Sequence, residues 1–305
     1  MNLANLDLNL LVPLDALLQE RSVTRAAERL LLSQPALSAS LARLRRHFDD
    51  PLLVRVGNTY QLTPLAEQLA ARTRVLLADV ERVFSAEPDF DPRTTTREFT
   101  MVTSDYSSTV LAPLVVALLD AEAPRARLRL SANTPRVVDG AERVLLSTDL
   151  MVMPHGFVAD LPHQDLHRDE WVCVVAADNT EVGETLSLEQ ARTMPWVASY
   201  HGPTASTPAA RQMRMLGVEP HVQVVTENFL TVPGLVAGSG RVALLQQRLV
   251  DALPPGSGVR AVACPVEVGP LIEAMWWHPS YTPDPEHSFF RDLVLRAAQG
   301  TTPPP

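Results

Sequence analysis

A chain of 305 residues exceeds the usual size of one domain, and its 46% hydrophobic, 20% charged composition supports packed cores. No apolar run approaches the ~20 residues needed to cross a bilayer, which excludes a membrane-spanning helix. The net charge of -9 hides an uneven distribution: nine arginines and four acids stand between Arg21 and Arg74, whereas residues 91–305 hold 16 arginines and 24 acids.

At the front, Asp7 interrupts the first apolar stretch and no basic segment precedes it, so a secretory signal is not read and a cytoplasmic location is expected. Leu11, Leu14 and Leu18 stand at helical spacing and predict a first helix over 8–18. Ser22 suits the cap of a short helix over 23–31, whose Ala26, Ala27 and Leu30 form a small face for close packing. Ser33 suits the cap of a third helix with Gln34 and Pro35 in its first turn, where proline's missing N–H costs nothing. Its buried stripe is Leu37, Leu41 and Leu44, which leaves Pro35, Ser38, Ala39, Arg43 and Arg46 facing outward in the manner of a recognition helix.

Residues 51–63 then read as two short strands around a Gly57-Asn58 turn, a wing. Thr63 caps the next helix and Pro64 takes its first position. Leu62, Leu69, Leu76 and Val83 recur every seventh residue, while Arg72 and Asp79 interrupt the companion seam. Such a helix needs a partner helix and implies a dimer. The stretch 88–92, rich in Pro and Asp, marks a domain boundary. Beyond it, strand-like runs at 99–103, 127–132, 149–153 and 171–176 alternate with helical ones, as in parallel α/β folds, and two lobes fit the remaining length.

The segments Ser22-Val-Thr-Arg-Ala-Ala-Glu-Arg-Leu30, Leu32-Ser-Gln-Pro-Ala-Leu-Ser38 and Leu41-Ala-Arg-Leu44 resemble the N-terminal signature of LysR-type transcriptional regulators. Asp7-Leu-Asn-Leu-Leu11, Asp50-Pro-Leu-Leu-Val-Arg55 and Leu62-Thr-Pro-Leu-Ala66 are similar to the nodulation-regulator, aromatic-sensing branch. The resemblance implies an α+β multi-domain fold. Residues 1–63 would form an all-α winged helix-turn-helix and 64–87 a linker helix. Residues 91–300 would form a two-lobed α/β sensor like periplasmic solute-binding proteins, with lobe I over 91–163 and 266–300 and lobe II over 164–265.

By position, Gln34, Pro35 and Ser38 match residues that such regulators press against base edges, and Arg55 matches a wing arginine near the minor groove or backbone. Ser22, Thr24, Arg43 and Arg46 complete the expected DNA contact. A glutamine amide offers the donor and acceptor that pair with adenine, and a guanidinium suits phosphate. Ala39 departs from the Arg or Asn common there, which implies one base contact fewer. For the effector, Ser104 and Ser107 open a helix after the first strand, Thr204 and Ser206 lie in a loop before another helix, Phe229 follows Thr226-Glu-Asn, and Arg248 follows a strand. Glu170 and Ser206 stand where salicylate-type sensors carry histidines. The implied partners are double-stranded DNA, a small and partly aromatic effector, a second copy in a homodimer, a homotetramer through the sensor domains, and RNA polymerase. No cofactor, metal or membrane partner is expected.

Blander readings compete. Ser104 and Thr204 could simply cap helices. Ser107, His155 and Asp149 could suggest a hydrolase, but no Gly-x-Ser-x-Gly elbow or Gly-rich phosphate loop accompanies them. His155, His163, His167, His201 and His221 show no helical pair, and Pro162 with Asp165 makes 163–167 read as a loop. Cys173 and Cys264 lack metal-ligand spacing and read as inert buried thiols, and Trp276-Trp277 reads as core.

Overall fold

The computed structural model describes residues 7–57, 59–84, 90–200 and 206–300. The chain forms two compact units that divide between Asp89 and Phe90. Unit 1 contains a 3-10 turn at Leu8–Leu10, then α1 (Leu11–Glu20), α2 (Val23–Arg29), α3 (Gln34–Phe48), β1 (Leu53–Val56), β2 (Thr59–Leu62) and α4 (Pro64–Phe84). Caps define the helix starts: the hydroxyls of Ser22, Ser33 and Thr63 accept from the amides of Arg25, Ala36 and Ala66. Leu14, Leu17, Leu18, Ala26, Ala27, Leu37, Leu41 and Leu44 make one core, and the two alanines let α2 sit close to its neighbours. α2 stops at Arg29, earlier than the sequence predicts, because Leu31 takes a left-handed backbone with φ 54° that turns the chain.

The wing pairs antiparallel, with Arg55 opposite Tyr60. Asp50 holds its base, accepting from the Leu52 amide at 2.6 Å and the Thr63 hydroxyl at 2.7 Å, while Arg45 of α3 donates to the Pro51 carbonyl at 2.8 Å. Along α4 the seven-residue repeat divides: Leu62 and Leu69 pack on the core of unit 1, whereas Leu76 is 43% and Val80 37% exposed. The Val83 side chain lies outside the described set. A partner helix is therefore needed only by the later part of the repeat.

Unit 2 runs β3 (Glu98–Thr103), α5 (Asp105–Val110), α6 (Ala112–Glu122), β4 (Arg127–Ala132), α7 (Pro135–Asp139), α8 (Ala141–Leu145), β5 (Leu150–Pro154) and β6 (His163–Asp169). There follow β7 (Trp171–Ala176), α9 (Leu188–Thr193), β8 (Pro195–Ser199), α10 (Pro208–Met215), β9 (His221–Thr226), α11 (Val232–Val236), β10 (Val242–Gln246), α12 (Gln247–Asp251) and β11 (Val259–Val262). The chain ends with β12 (Leu271–Trp276), a short 3-10 turn and α13 (Pro285–Gly300). Two five-stranded sheets result, ordered β4-β3-β5-β12-β6 and β11-β7-β10-β8-β9. They are mixed, not purely parallel: β12 runs antiparallel to β5 and β6, and β7 antiparallel to β10 and β11.

The four strands read from sequence all form, but the lobe boundary moves. Residues 163–167, expected as loop, and 164–169, expected as the start of lobe II, form a strand that pairs with β12 through one bulge, so they belong to the first sheet. The first crossing between lobes therefore falls at Glu170. The return uses residues 263–270, between β11 and β12. α13 packs back on the first lobe, where Phe290 stacks on Phe99 at 4.6 Å.

An ion cluster fixes the edge of that lobe. Arg97, 12% exposed, reaches Asp149 at 2.5 Å, Asp284 at 3.1 Å and Glu286 at 3.0 Å. The second oxygen of Asp149 accepts from the amide and hydroxyl of Thr100. Replacing the arginine would leave buried carboxylates without a counter-ion. Arg97→Met is expected to destabilise unit 2 by about 3 to 5 kcal/mol. Urea unfolding followed by tryptophan fluorescence checks this, since Trp171, Trp196, Trp276 and Trp277 are the only tryptophans and all lie in unit 2; a loss under 1 kcal/mol, roughly the worth of an exposed pair, would contradict it.

Candidate functional site

In unit 1 the buried stripe of α3 leaves Gln34, Pro35, Ser38, Ala39, Arg43 and Arg46 exposed. The sequence-expected base-reading residues thus share the solvent face of one helix. Arg43 already pairs with Asp7, and Arg55 donates along the wing to the Gly57 carbonyl at 3.1 Å. Thr24 is exposed, whereas the Ser22 hydroxyl is occupied as the α2 cap. The clamp from Arg45 to the wing carries no signal in spacing, because its partners are backbone carbonyls.

In unit 2 a cavity lies between the lobes, lined mostly by apolar and aromatic side chains with a few polar groups, as small-molecule sites are. The first lobe lines it with Ser104, Asn133, Val138, Met153, Phe157 and Glu273, and the second with Trp171, Tyr200, Ser206, Thr207, Phe229 and Gln246. Tyr200 and Trp171 flank Phe229, with ring centroids 5.5 Å and 6.4 Å away. Three residues of the lining each carry a buried polar atom that has no partner among the described residues: Trp171 Nε1, Gln246 Oε1 and Glu273 Oε2. Burial pushes the Glu273 carboxyl up to about 8; a hydrogen bond from Ser107 opposes the rise and the charge of Asp169 adds to it.

Of the effector residues read from sequence, Ser104, Ser206 and Phe229 line the cavity. Ser107 sits behind it, its amide capped by the Ser104 hydroxyl at 3.1 Å. The Ser206 hydroxyl accepts from Arg214 at 2.9 Å. Thr204 lies outside the described residues. Glu170 and Arg248 are corrections. Glu170 is exposed and outside the lining, its carbonyl taking the Gln247 amide at 2.8 Å. Arg248 also lies outside the lining; its amide meets the Asp169 carboxylate at 3.3 Å and its guanidinium the Arg168 carbonyl at 3.4 Å. Both flank the lobe crossing, next to Asp169.

The crossing itself is organised by Asp169. Its carboxylate accepts from the Tyr106 hydroxyl at 2.7 Å and from the amides of Glu170 at 2.8 Å and Arg248 at 3.3 Å. Tyr106 has one proton and gives it to Asp169, so the 3.1 Å contact with His167 has the imidazole Nε2–H donating. Burial pulls the His167 pKa down to about 4, in keeping with a neutral ring. Elsewhere the free thiols Cys173 and Cys264 approach to 3.7 Å, and the ligand atoms of exposed His155, His163 and Asp165 lie within 4.8 Å of one another. Neither grouping is legible in spacing. Trp276 is core, as read, with its indole donating to the Met153 carbonyl.

Comparison with known families matches residues 8–67 to the bacterial regulatory helix-turn-helix protein, lysR family, and residues 92–299 to the LysR substrate binding domain. Nodulation protein D 2 of Rhizobium tropici is 35% identical over 303 residues, covering 98% of this chain and 95% of the relative. Nodulation protein D 1 of Mesorhizobium japonicum is 32% identical over 308 residues, covering 100% and 97%. Among solved structures, a probable transcriptional regulator from Pseudomonas aeruginosa aligns with TM-score 0.71 at 24% identity, covering 96% of this chain and 97% of that one. Full-length CbnR complexed with its target DNA aligns with TM-score 0.68 at 16% identity, covering 96% and 100%.

The buried Glu273 gives this unit a pH signature. Its carboxyl titrates near 8 when folded against an ordinary value of 4.5, so the stability it allows is full below pH 4.5 and is lost as pH rises towards 8. Glu273→Gln should match the parent near the lower limit and exceed it by a few kcal/mol at the upper one. Urea unfolding of both proteins at several pH values measures the difference, and a gap that does not change with pH would contradict the assignment.

Proposed function

Because the chain belongs to the LysR family, and is thus a DNA-binding transcriptional regulator with an effector-binding domain, we propose that α3 reads the operator through Gln34, Pro35 and Ser38 and that the effector occupies the interlobe cavity. The observation carrying the first half is the exposed row on α3 above a fully buried leucine stripe. Thr24, Arg46 and Arg55 contact the DNA backbone or minor groove beside it, Arg43 joins them by exchanging Asp7 for phosphate, and Ser22 contributes through the start of α2. The solved complex of CbnR with its target DNA supports a DNA role for this architecture.

The working division is a winged domain over 1–63, a linker helix from 64, and a sensor over 91–300 whose first lobe includes β6. The regulator acts in the cytoplasm, where its DNA is. Two copies pair through the exposed part of α4, the sensor units join pairs into a tetramer, and RNA polymerase is the partner at the promoter. An effector touching Ser104 and Glu273 on one lobe and Ser206 and Phe229 on the other has different contacts in open and closed lobe arrangements. That differential affinity shifts their populations and thereby the promoter complex.

Gln34→Ala is expected to cost about 1 to 3 kcal/mol of operator binding and to relax preference at one base position. Arg55→Ala should instead weaken all sequences alike and reduce the salt slope by about one. Fluorescence anisotropy with single-base operator variants separates the two, and unchanged affinity and preference for Gln34→Ala would remove α3 from the reading role. Leu76→Asp with Val80→Asp should abolish dimerisation while unit 1 keeps its fold, because neither side chain is buried. Sedimentation velocity and helical circular dichroism provide the test; a dimer surviving both changes would refute the α4 contact.

A further inference from the structure

Among the described residues, three that line the cavity keep a buried polar atom without a partner: Trp171 Nε1, Gln246 Oε1 and Glu273 Oε2. Buried polar atoms in folded proteins are nearly always paired, so three orphans at one void indicate the polar contacts of a ligand. Two of the three are oxygens, and together they call for a head group with at least two N–H or O–H donors. Charge narrows the choice. The charged side chains in the lining, among the described residues, are Glu273 and Asp139, both acidic.

Among the described residues, none of the ion pairs found takes in Glu273. Its β5 neighbour in register is Pro154, and across β6 stand neutral His167 and then Asp169. α5 presents Tyr106 and Ser107, and Arg248 of α12 is engaged with Asp169 and Arg168. Among the arginines nearest the cavity lining, Arg214 holds the Ser206 hydroxyl and Arg211 stacks on Phe157 at 4.9 Å. An anionic ligand would meet acids of its own sign. To an ionised Glu273, a neutral hydroxyl would supply one donor and no positive charge.

We propose, resting on the reading that the effector occupies this cavity, that its ligand is a protonated amine on an apolar body, with the ammonium between Glu273 and Gln246 and the body against Trp171, Tyr200 and Phe229. The Trp171 N–H meets the π face of an aromatic body. The ammonium provides the donors both oxygens lack and the positive charge that the carboxylate lacks, and aromatic faces attract a cation. Binding is coupled to a proton. Free Glu273 is mostly protonated at neutral pH because its carboxyl titrates near 8. On binding, its proton leaves to solvent, the ammonium keeps all of its own, and an N–H···O⁻ pair forms. Glu273 and Gln246 lie on different lobes, so the same head group also ties the lobes together.

The test is calorimetric titration of the full chain with tryptamine, its alcohol tryptophol, and the carboxylate indoleacetate. Tryptamine should bind at least about tenfold more tightly than either. Its affinity should rise about tenfold per pH unit below about 8 and then level, because an alkylamine stays charged throughout that range. Titration near pH 7 in two buffers of different ionisation enthalpy should show close to one proton released per tryptamine, a measurement that needs no variant. In Glu273→Gln the amine should lose both its advantage over tryptophol and its pH dependence. Equal or tighter binding of tryptophol or indoleacetate, an amine preference that survives Glu273→Gln, or no binding of any of the three at millimolar concentration overturns the amine class. The cavity reading is judged separately with Val138→Trp, at a half-buried position of the lining: ligands that still bind unchanged to that variant overturn the cavity as the site, and the amine proposal with it.

Discussion

Asp169 closes β6 where the chain leaves one sheet for the other, and its carboxylate draws donors from three places: Tyr106 on α5, the crossing residue Glu170, and Arg248 at the start of α12. Burying a carboxylate is costly unless donors converge on it, and here the convergence spans both lobes. Burial raises the Asp169 pKa, and these hydrogen bonds oppose the rise. The same charge acts on Glu273 across the β6–β12 ladder. Burial sets the rise at the cavity carboxyl, and the charge held at the crossing adds to it.

How much of this was legible in sequence depended on whether the signal was local. Ser22, Ser33 and Thr63 announce helix starts because a cap lies within three residues of its target amide, and Leu37, Leu41 and Leu44 announce a buried face because helical periodicity repeats inside one element. β6 was misread for the complementary reason. It is an edge strand, open on one side, so His163, Gln164 and Asp165 remain exposed and the segment looks like loop. The repeat on α4 states a spacing but not a partner, and its first half turned out to serve the unit's own core.

The cavity shows the same limit in chemical form. Ser104, Ser206 and Phe229 were found because residues after strands and before helices gather at the mouth of α/β folds. Helix starts, however, do not make this an anion site. Ser104 caps its own short helix and Ser206 is held by Arg214, while the buried charge comes from Glu273 inside a strand that reads as core. A lone acid in phase with Leu271 and Met275, on the face that strand buries, was the available clue. What spacing could not reveal was that no basic residue would face it.

β6 and β12 are antiparallel neighbours, with Asp169 opposite Leu271, so the whole second lobe departs from and returns to one point on the first sheet. In topological terms that lobe is an insertion in a hairpin. A segment whose two ends adjoin can be exchanged as a unit, by recombination or by design, without breaking the host's register. The wall bearing Trp171, Gln246 and Phe229 is thus a separable part, while Glu273 stays with the host sheet.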